Sequence, residues 1–295
     1  MKTVIITGAT SGIGLETVRL LTNRGYRVLG VGHSGKNCFR AEQELLTVNP
    51  NAQIAFYSAD LMQQRQVLRV VEELSVELDK TGGELHALIN NAGAVRSWYT
   101  TTEEGYEQQF ALNHLAGFLL TAKLLPYLQK GKGRVIMTGS GSHKGIKIHW
   151  DDVMLRRGYN PLTAYKQSKL CNILFAKGLS DRNLGIHSYT VDPGLVKTDI
   201  GNKQTGGFVN LIWSMRKRSG VTPEIPAKTY LYLCEQDPAP TGLYYHYKLS
   251  RRPPICEIPY SKQVTSENAT RLFTLSEKLC GIEFETTLSE RKAVS

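Results

Sequence analysis

The sequence predicts a doubly wound α/β fold, in which a parallel sheet of about seven strands carries helices on both faces. Short β-branched segments alternate with longer segments of helical period along the 295 residues. Most of the β segments are apolar on both faces, which is typical of parallel strands covered by helices. This alternation is that of successive βαβ units. No tract of linker composition interrupts it, so we expect one domain over residues 1–295.

The predicted strands follow one another regularly along the chain. They are KTVIIT, YRVLGVG, AQIAFYSAD, LHALINNAG, GRVIMTGS, GIHSYTVD and GLYYHY. The segments with the length and period of crossover helices are IGLETVRLLTNRG, QVLRVVEELSVELDK, YEQQFALNHLAGFLLTAKLLPYLQ and TAYKQSKLCNILFAKGLSDR. In a sheet of this kind, ligands bind beyond the carboxyl ends of the strands. We therefore expect the functional side chains directly after the strands.

Charge and cysteine content argue against several classes of protein. The net charge is +10, but the basic residues are spread along the chain, and the densest clusters, residues 215–219 and 248–254, predict solvated faces rather than a nucleic-acid site. The five cysteines include no Cys-x-x-Cys pair, which argues against a disulfide framework or a metal site. The chain enters a strand at once and has no apolar run of about 20 residues. We expect a cytoplasmic protein without a signal peptide, a membrane span or a metal.

A glycine-rich segment, TGATSGIG, follows the first strand and opens the first helix. Gly8, Gly12 and Gly14 are placed where a tight turn lets the backbone approach a phosphate. Main-chain N–H groups and the positive end of the helix would then hold a pyrophosphate. The alternative is an ordinary strand-to-helix turn, and the spacing is Gly-x-x-x-Gly-x-Gly instead of the usual Gly-x-Gly-x-x-Gly.

Further motifs follow this turn in a fixed order. They are NNAG after the fourth strand, Asn113 in a helix, Ser140 after the fifth strand, YKQSK at residues 165–169 and DPG at residues 192–194. Together with the glycine spacing, they make the chain resemble the short-chain dehydrogenase/reductase family over about residues 2–247. DPGLVKTDI and the later LFTLSEKLCGIEF look like the retinol-dehydrogenase-like branch.

The resemblance implies a Rossmann-type fold, a nicotinamide dinucleotide and hydride transfer to or from a substrate. It also implies a substrate lid at about residues 200–220 and a C-terminal extension at about residues 248–295. Lys169 would bind the nicotinamide ribose, and Asn113 would hold a water that relays protons to Lys169. The residues expected to contact the cofactor are Gly8, Thr10, Ser11, Gly12, Ile13, Gly14, His33, Ser34, Lys36, Asp60, Leu61, Asn91, Ala92, Gly93, Tyr165, Lys169, Pro193, Gly194, Val196 and Thr198.

Tyr165 and Lys169 are four residues apart, so a helix brings them to one face. A phenol of ordinary pKa near 10 is a poor acid or base at neutral pH. An adjacent ammonium favours the phenolate and lowers that pKa, so we expect Tyr165 to act as the general acid/base. We expect Ser140, rather than Ser142, to donate a hydrogen bond to the substrate oxygen. Seen alone, the Tyr165 and Lys169 pair would be a packed aromatic beside a surface charge.

The end of the second strand bears on the choice of cofactor. An acidic side chain there would accept hydrogen bonds from a free ribose hydroxyl and select NAD. The chain has His33, Ser34 and Lys36 instead, which predict NADP(H), although the family's familiar arginine is absent. Asp60 is expected to contact the adenine, and its alternative role is that of a turn residue after a strand.

The substrate is less well defined by the sequence. Phe208 and Trp213, together with Ser140 and Tyr165, are the candidate substrate contacts. The segment TGGFVNLIWSMRKRSG could instead be a plain amphipathic helix or an interfacial membrane patch. We expect a small lipophilic ketone, aldehyde or secondary alcohol, such as a steroid or a retinoid. The sequence leaves homo-oligomer formation open.

Alternative functions follow from the same motifs. A serine hydrolase is excluded because neither Ser140 nor Ser142 has glycines at both minus two and plus two. A catalytically idle dinucleotide-binding regulator would be expected to lack the tyrosine or the lysine, and both are present. The protochlorophyllide-reductase-like branch uses the same pair to reduce a carbon–carbon double bond. The sequence favours an NADP(H)-dependent carbonyl reductase or alcohol dehydrogenase over these alternatives.

Overall fold

All strands that the structure describes lie in one sheet, in the order β3-β2-β1-β4-β5-β6-β7-β8. The computed structural model describes residues 1–197, 220–237, 243–248, 250–251 and 254–284. The strands are β1 (Thr3–Thr7), β2 (Arg27–Gly32), β3 (Ile54–Ser58), β4 (Ala87–Asn90), β5 (Arg134–Thr138), β6 (His187–Asp192), β7 (Leu243–Tyr247) and β8 (Ile255–Glu257). Each of the seven predicted strands is present, which confirms the fold class.

The order of the strands at the centre of the sheet determines where the functional residues lie. Strand β1 pairs in parallel with β2 on one side and with β4 on the other, so Ile5 lies between Leu29 and Leu88. The strand order therefore reverses at β1, and the chain segments that leave the carboxyl ends of β1 and β4 diverge there. Such a point opens a crevice in a doubly wound sheet. The glycine-rich turn and the NNAG motif both begin at this crevice.

Helices cover both faces of the sheet. They are α1 (Gly12–Thr22), α2 (Gly35–Val48), α3 (Gln64–Asp79), α4 (Gln108–Phe110), α5 (Ala116–Lys130), α6 (Pro161–Arg182), α7 (Glu224–Glu235) and α8 (Ser266–Cys280). Apolar side chains of α3, α5 and α6 pack on one face, and those of α1, α2 and α7 pack on the other. In the described part of the chain, no helix is long and apolar enough to cross a membrane.

Several elements differ from the sequence-based expectation. The helix predicted over residues 106–129 is interrupted by a π-helical turn, Ala111–Leu115, between α4 and α5. Helix α2 was not predicted, because its apolar stripe is narrow. In the structure, its large apolar residues Phe39 and Val48 are exposed. Helices α7 and α8 were also missed. Strand β8 is antiparallel to β7 and adds an eighth strand that is too short to show a period in the sequence.

Candidate active site

The turn after β1 is closed tightly by its glycines. Gly8 and Gly12 adopt left-handed conformations with φ of +68° and +55°. A Cβ atom on Gly14 would lie 2.1 Å from the carbonyl oxygen of Gly8, so the helix can approach the strand only without a side chain here. Ser11 precedes α1, and its side chain does not cap the helix. The N-terminal N–H groups of α1 are therefore not capped by Ser11 and can meet a phosphate.

The NNAG turn is tied to this first turn. The Asn91 side chain donates to the carbonyl oxygen of Thr7 over 3.0 Å. The backbone N–H groups of Asn91 and Ala92 both donate to the hydroxyl of Thr7, each over 3.0 Å. These bonds hold the ends of β1 and β4 together. Thr10, Ile13 and the other residues of the glycine-rich turn thus lie beside the second predicted motif.

Gly93 is the point at which the remaining motifs meet. A Cβ atom on this residue would lie 3.1 Å from Oδ1 of Asn113 and 3.4 Å from Nζ of Lys169. The structure therefore brings together NNAG, the asparagine of the π-helical turn and the lysine of α6. The absence of a side chain at Gly93 leaves a shallow cradle in front of Lys169.

Both the oxygen and the nitrogen of the Asn113 side-chain amide form hydrogen bonds within the protein. Its Oδ1 accepts from the backbone N–H of Ala94 over 2.9 Å, and its Nδ2 donates to the carbonyl oxygen of Ala94 over 3.1 Å. Nδ2 also donates to the hydroxyl of Ser168 over 2.9 Å. Both amide hydrogens are thus committed, which fixes the π-helical turn against α6. The water relay expected through Asn113 stays a prediction.

Tyr165 and Lys169 lie one turn apart in α6, as predicted. The ammonium is 5.8 Å from the centre of the phenol ring, and the two residues are 8% and 1% exposed. Lys169 donates to the carbonyl oxygen of Thr138 over 3.0 Å. Burial lowers the pKa of the Lys169 ammonium to about 8. A cation of this kind, held against a phenol, favours loss of the phenol proton.

Replacing Lys169 with Met is expected to stabilise the protein. The folded pKa of about 8 lies below the ordinary value of 10.5, so the buried charge destabilises the native state. That penalty is fully present below the folded pKa and disappears as the pH approaches the unfolded pKa. We expect Lys169→Met to raise the free energy of unfolding near pH 7 by up to about 3 kcal/mol, and by less near pH 10.

Thermal unfolding of the Lys169→Met variant at both pH values measures this effect. Lys166→Met is the matched control, because Lys166 lies in the same helix and is only partly buried. We expect the control to show no comparable dependence on pH. A Lys169→Met protein that is less stable than the wild type near pH 7 would show that the ammonium is compensated in the folded state.

Ser140 follows β5 and precedes a short 3₁₀ turn, Gly141–His143. Its Oγ accepts from the backbone N–H of Ser142 over 3.2 Å and from the Ser142 hydroxyl over 2.9 Å. Two donors occupy the two lone pairs of this oxygen, so the Ser140 hydroxyl hydrogen is free to point elsewhere. The hydrogen bond from Ser140 to a substrate oxygen stays a prediction.

The end of β2 lies close to a carboxylate that the sequence of β2 does not contain. His33 is 71% exposed, and its Nε2 lies 3.9 Å from Oδ1 of Asp60. Ser34 caps α2 by accepting from the backbone N–H of Asn37 over 3.4 Å, and Lys36 is exposed. Asp60, which arrives from the neighbouring strand, also accepts from the backbone N–H of Met62 and precedes the buried Leu61.

The DPG segment follows β6 at the same edge of the sheet. Gly194 has a φ of +70°, and its N–H donates to Oδ1 of Asp192 over 3.0 Å. His246, which the sequence did not indicate, donates from Nδ1 to the carbonyl oxygen of Asp192 over 2.9 Å. Beyond Pro193, Val196 forms a parallel bridge with Val221. The predicted contacts Thr198, Phe208 and Trp213, and most of the lid, lie outside the described residues.

The residues predicted around the crevice therefore fall into one arrangement. A glycine turn and a helix end that Ser11 does not cap can meet an anionic group, and the cradle at Gly93 lies against Asn113 and Lys169. The hydroxyl of Ser140, which follows β5, and the phenol of Tyr165, which lies in α6, are at the same edge of the sheet. Thr138, which anchors Lys169, was missed, although its place at the end of β5 could have indicated it.

Known proteins resemble this chain over most of its length. A family model described as short chain dehydrogenase matches residues 2–206. The chain is 32% identical to human retinol dehydrogenase 13, over 96% of this chain and 85% of that protein. It is also 32% identical to mouse retinol dehydrogenase 12, over 96% and 88% of the two chains.

Solved structures share the fold. An uncharacterized protein from Mycobacterium paratuberculosis is 28% identical and superposes with a TM-score of 0.77, over 97% of this chain and 95% of that one. A short-chain dehydrogenase from Sphingobium yanoikuyae in complex with NADPH is 22% identical, with a TM-score of 0.62 over 79% and 83% of the two chains. The second likeness is one of fold alone.

Proposed function

The chain belongs to the short-chain dehydrogenase family, and we propose that it is an NADP(H)-dependent oxidoreductase acting on the carbonyl or alcohol group of a lipophilic substrate. The observation that carries this proposal is the buried pair of Tyr165 and Lys169 behind the cradle at Gly93. An ammonium with a lowered pKa is an unfavourable group to bury without a function. The position of the Lys169 ammonium beside the phenol of Tyr165 provides such a function.

Each residue of the pair then has a chemical role. The nicotinamide, when bound, supplies or receives the hydride. During reduction, the phenol of Tyr165 gives its proton to the substrate oxygen, and during oxidation it takes that proton back. Ser140 donates a hydrogen bond to the same oxygen as negative charge develops on it. Lys169 stabilises the phenolate and binds the ribose, while Asn113 fixes the segment that faces Lys169.

The preference for NADP(H) rests on the exposed side chains after β2. His33 and Lys36 are exposed and can approach a ribose phosphate from the end of α2. The N-terminus of that helix adds a favourable potential for an anion. Asp60 acts against this preference, since its carboxylate lies 3.9 Å from His33.

A lower Michaelis constant for NADPH than for NADH is the expected result with the wild-type protein. Lys36→Gln should raise the constant for NADPH by about five- to tenfold, because it removes a charge-assisted contact to the phosphate. It should leave the constant for NADH nearly unchanged. Arg40→Gln is the control, because Arg40 is exposed in the same helix. A marked preference for NADH would mean that Asp60 dominates the site.

The lipophilic substrate class is proposed from the two relatives reported above, both of which are named retinol dehydrogenases. A panel of steroids, retinal, quinones and small aldehydes, followed by NADPH oxidation, tests this class. Turnover of only the small aldehydes would contradict it.

We further propose that the chain forms one domain and that its location is cytoplasmic. The five free cysteines support the proposed location.

A further inference from the structure

His143 lies three residues after Ser140, at the end of the short turn that follows β5. We propose that His143 is a positioning residue, which holds the turn of residues 140–143 closed and thereby directs the Ser140 hydroxyl toward the substrate oxygen. The inference rests on the proposed function. It gives a role to a buried imidazole that the proposed chemistry does not otherwise use.

The carbonyl oxygen of Ser140 accepts two hydrogen bonds from His143. The backbone N–H of His143 donates over 3.1 Å, and Nδ1 of its side chain donates over 2.6 Å. A carbonyl oxygen has two lone pairs, so this one residue occupies both. His143 therefore closes the turn through its main chain and through its side chain.

The closed turn places the two donors that orient the Ser140 hydroxyl. Ser142 lies inside the turn, and its backbone N–H and hydroxyl donate to Oγ of Ser140 over 3.2 Å and 2.9 Å. These donors reach Oγ only while the turn keeps its shape. If the turn opened, both lone pairs of Oγ would lose their partners, and the hydroxyl could rotate away from the substrate oxygen.

The protonation state of the imidazole suits this role. Burial lowers the pKa of His143, and the Ser140 carbonyl and the Asp192 carboxylate offset only part of that effect. The imidazole is therefore neutral at pH 7 and carries one proton. A carbonyl oxygen accepts but does not donate, so this proton lies on Nδ1 and Nε2 is unprotonated.

Packing alone does not account for a histidine at this position. The side chain is fully buried, and its ring meets the edge of Tyr244 with ring centres 5.6 Å apart. Nε2 has no hydrogen-bond partner among the residues that the structure describes. Burial of an unpaired nitrogen is unfavourable, and an apolar side chain could fill the same space without it. The hydrogen bond from Nδ1 to Ser140 is what the imidazole adds.

The backbone around Ser140 needs such a restraint. Ser140 lies between Gly139 and Gly141. A Cβ atom on Gly141 would lie 2.9 Å from Oδ2 of Asp192, so the close approach of these segments excludes a larger residue. Glycine has the greatest backbone freedom of all residues, which makes the turn costly to order. The two bonds from His143 supply the restraint that side chains on the glycines cannot.

Three substitutions of His143 in the full chain test the proposal. The amide nitrogen of asparagine can take the place of Nδ1, whereas that of glutamine takes the place of Nε2, and leucine has no donor. We expect His143→Leu and His143→Gln to lower kcat by about five- to tenfold, with a smaller change in KM. His143→Asn should remain within about twofold of the wild type. NADPH oxidation with the most rapidly reduced carbonyl of the panel above measures these constants.

His149→Leu is the matched control, because it removes an imidazole from the same connecting segment. His149 is exposed, and its Nδ1 contacts Gln167 instead of Ser140. This variant should retain the kcat of the wild type. A His143→Gln protein as active as the wild type, beside an impaired His143→Asn, would overturn the proposal, because the bond from Nδ1 would then be dispensable.

A double-mutant cycle distinguishes positioning of Ser140 from a general loss of structure. In Ser140→Ala the hydroxyl is absent, so adding His143→Leu should cause little further loss of kcat. The same fold loss of kcat in the Ser140→Ala background as in the wild-type background would show that His143 does not act through the Ser140 hydroxyl. That result would overturn the proposal.

The state of the imidazole can be measured without turnover. Long-range 1H–15N NMR spectra of the cofactor-free protein, assigned with His143→Asn, should show a protonated Nδ1 and an unprotonated Nε2 at neutral pH. An imidazole with its proton on Nε2 would overturn the proposal even in an active enzyme. A wild-type protein that reduces no carbonyl, yet shows the proton on Nδ1, would overturn the proposed function and leave the hydrogen bond to Ser140 standing.

Discussion

Tyr165→Phe is expected to lower kcat by about 10²- to 10⁴-fold, which is the range that a positioned general acid contributes. The phenol ring is 8% exposed, so phenylalanine can keep the same packing and lose only the hydroxyl. Lys169 remains anchored on the carbonyl of Thr138. The dissociation constant for NADPH, measured by fluorescence titration, should therefore change by less than about threefold.

Tyr159→Phe is the matched control for the loss of a phenol hydroxyl. The Tyr159 hydroxyl accepts from the side chain of Gln109 over 2.6 Å and donates to the carbonyl oxygen of Arg96 over 3.0 Å. Its loss should lower the melting temperature and leave kcat within a few-fold of the wild type. If Tyr165→Phe kept most of its activity, the proton would come from another group. If it lost NADPH binding and turnover in parallel, Tyr165 would be structural.

The sheet can be predicted from the sequence because the pattern of a buried parallel strand is contained in a few consecutive residues. Segments such as TVIIT are β-branched and apolar on both faces, and burial on both faces is what they show in the structure. The motifs after the strands were also predictable as a group, since the carboxyl ends of parallel strands meet at one edge. Gly93 follows β4 and obeys that rule, whereas Asn113 and Lys169 lie on helical segments that the fold brings to it.

Features that depend on contacts between distant segments were not predictable in this way. The sequence around Asn113 has an unbroken helical period, and the π-helical turn is seen only together with the bonds from Asn113 to Ala94. Asp60 approaches His33 from a neighbouring strand, so the second strand alone suggested a site without a carboxylate. The hydrogen bond between His114 and Ser276 spans 162 residues of sequence.

Ser140→Ala should have the second largest effect. The Ser140 oxygen accepts from both the N–H and the hydroxyl of Ser142, so its own hydrogen is the one available to a substrate oxygen. That bond becomes stronger as charge develops on the oxygen during hydride transfer. We therefore expect Ser140→Ala to lower kcat by about 10²- to 10³-fold, with a smaller change in the KM for the substrate. Steady-state NADPH oxidation measures both constants.

Ser142→Ala is the control that distinguishes the two serines. It removes one of the two donors to Ser140 and leaves the backbone N–H in place at 3.2 Å. The Ser140 hydroxyl loses only part of its support, so kcat should fall by less than about fivefold. An equal or larger loss in Ser142→Ala than in Ser140→Ala would mean that Ser142 donates to the substrate and Ser140 only supports it. The order of the two effects thus identifies the side chain that stabilises the developing charge.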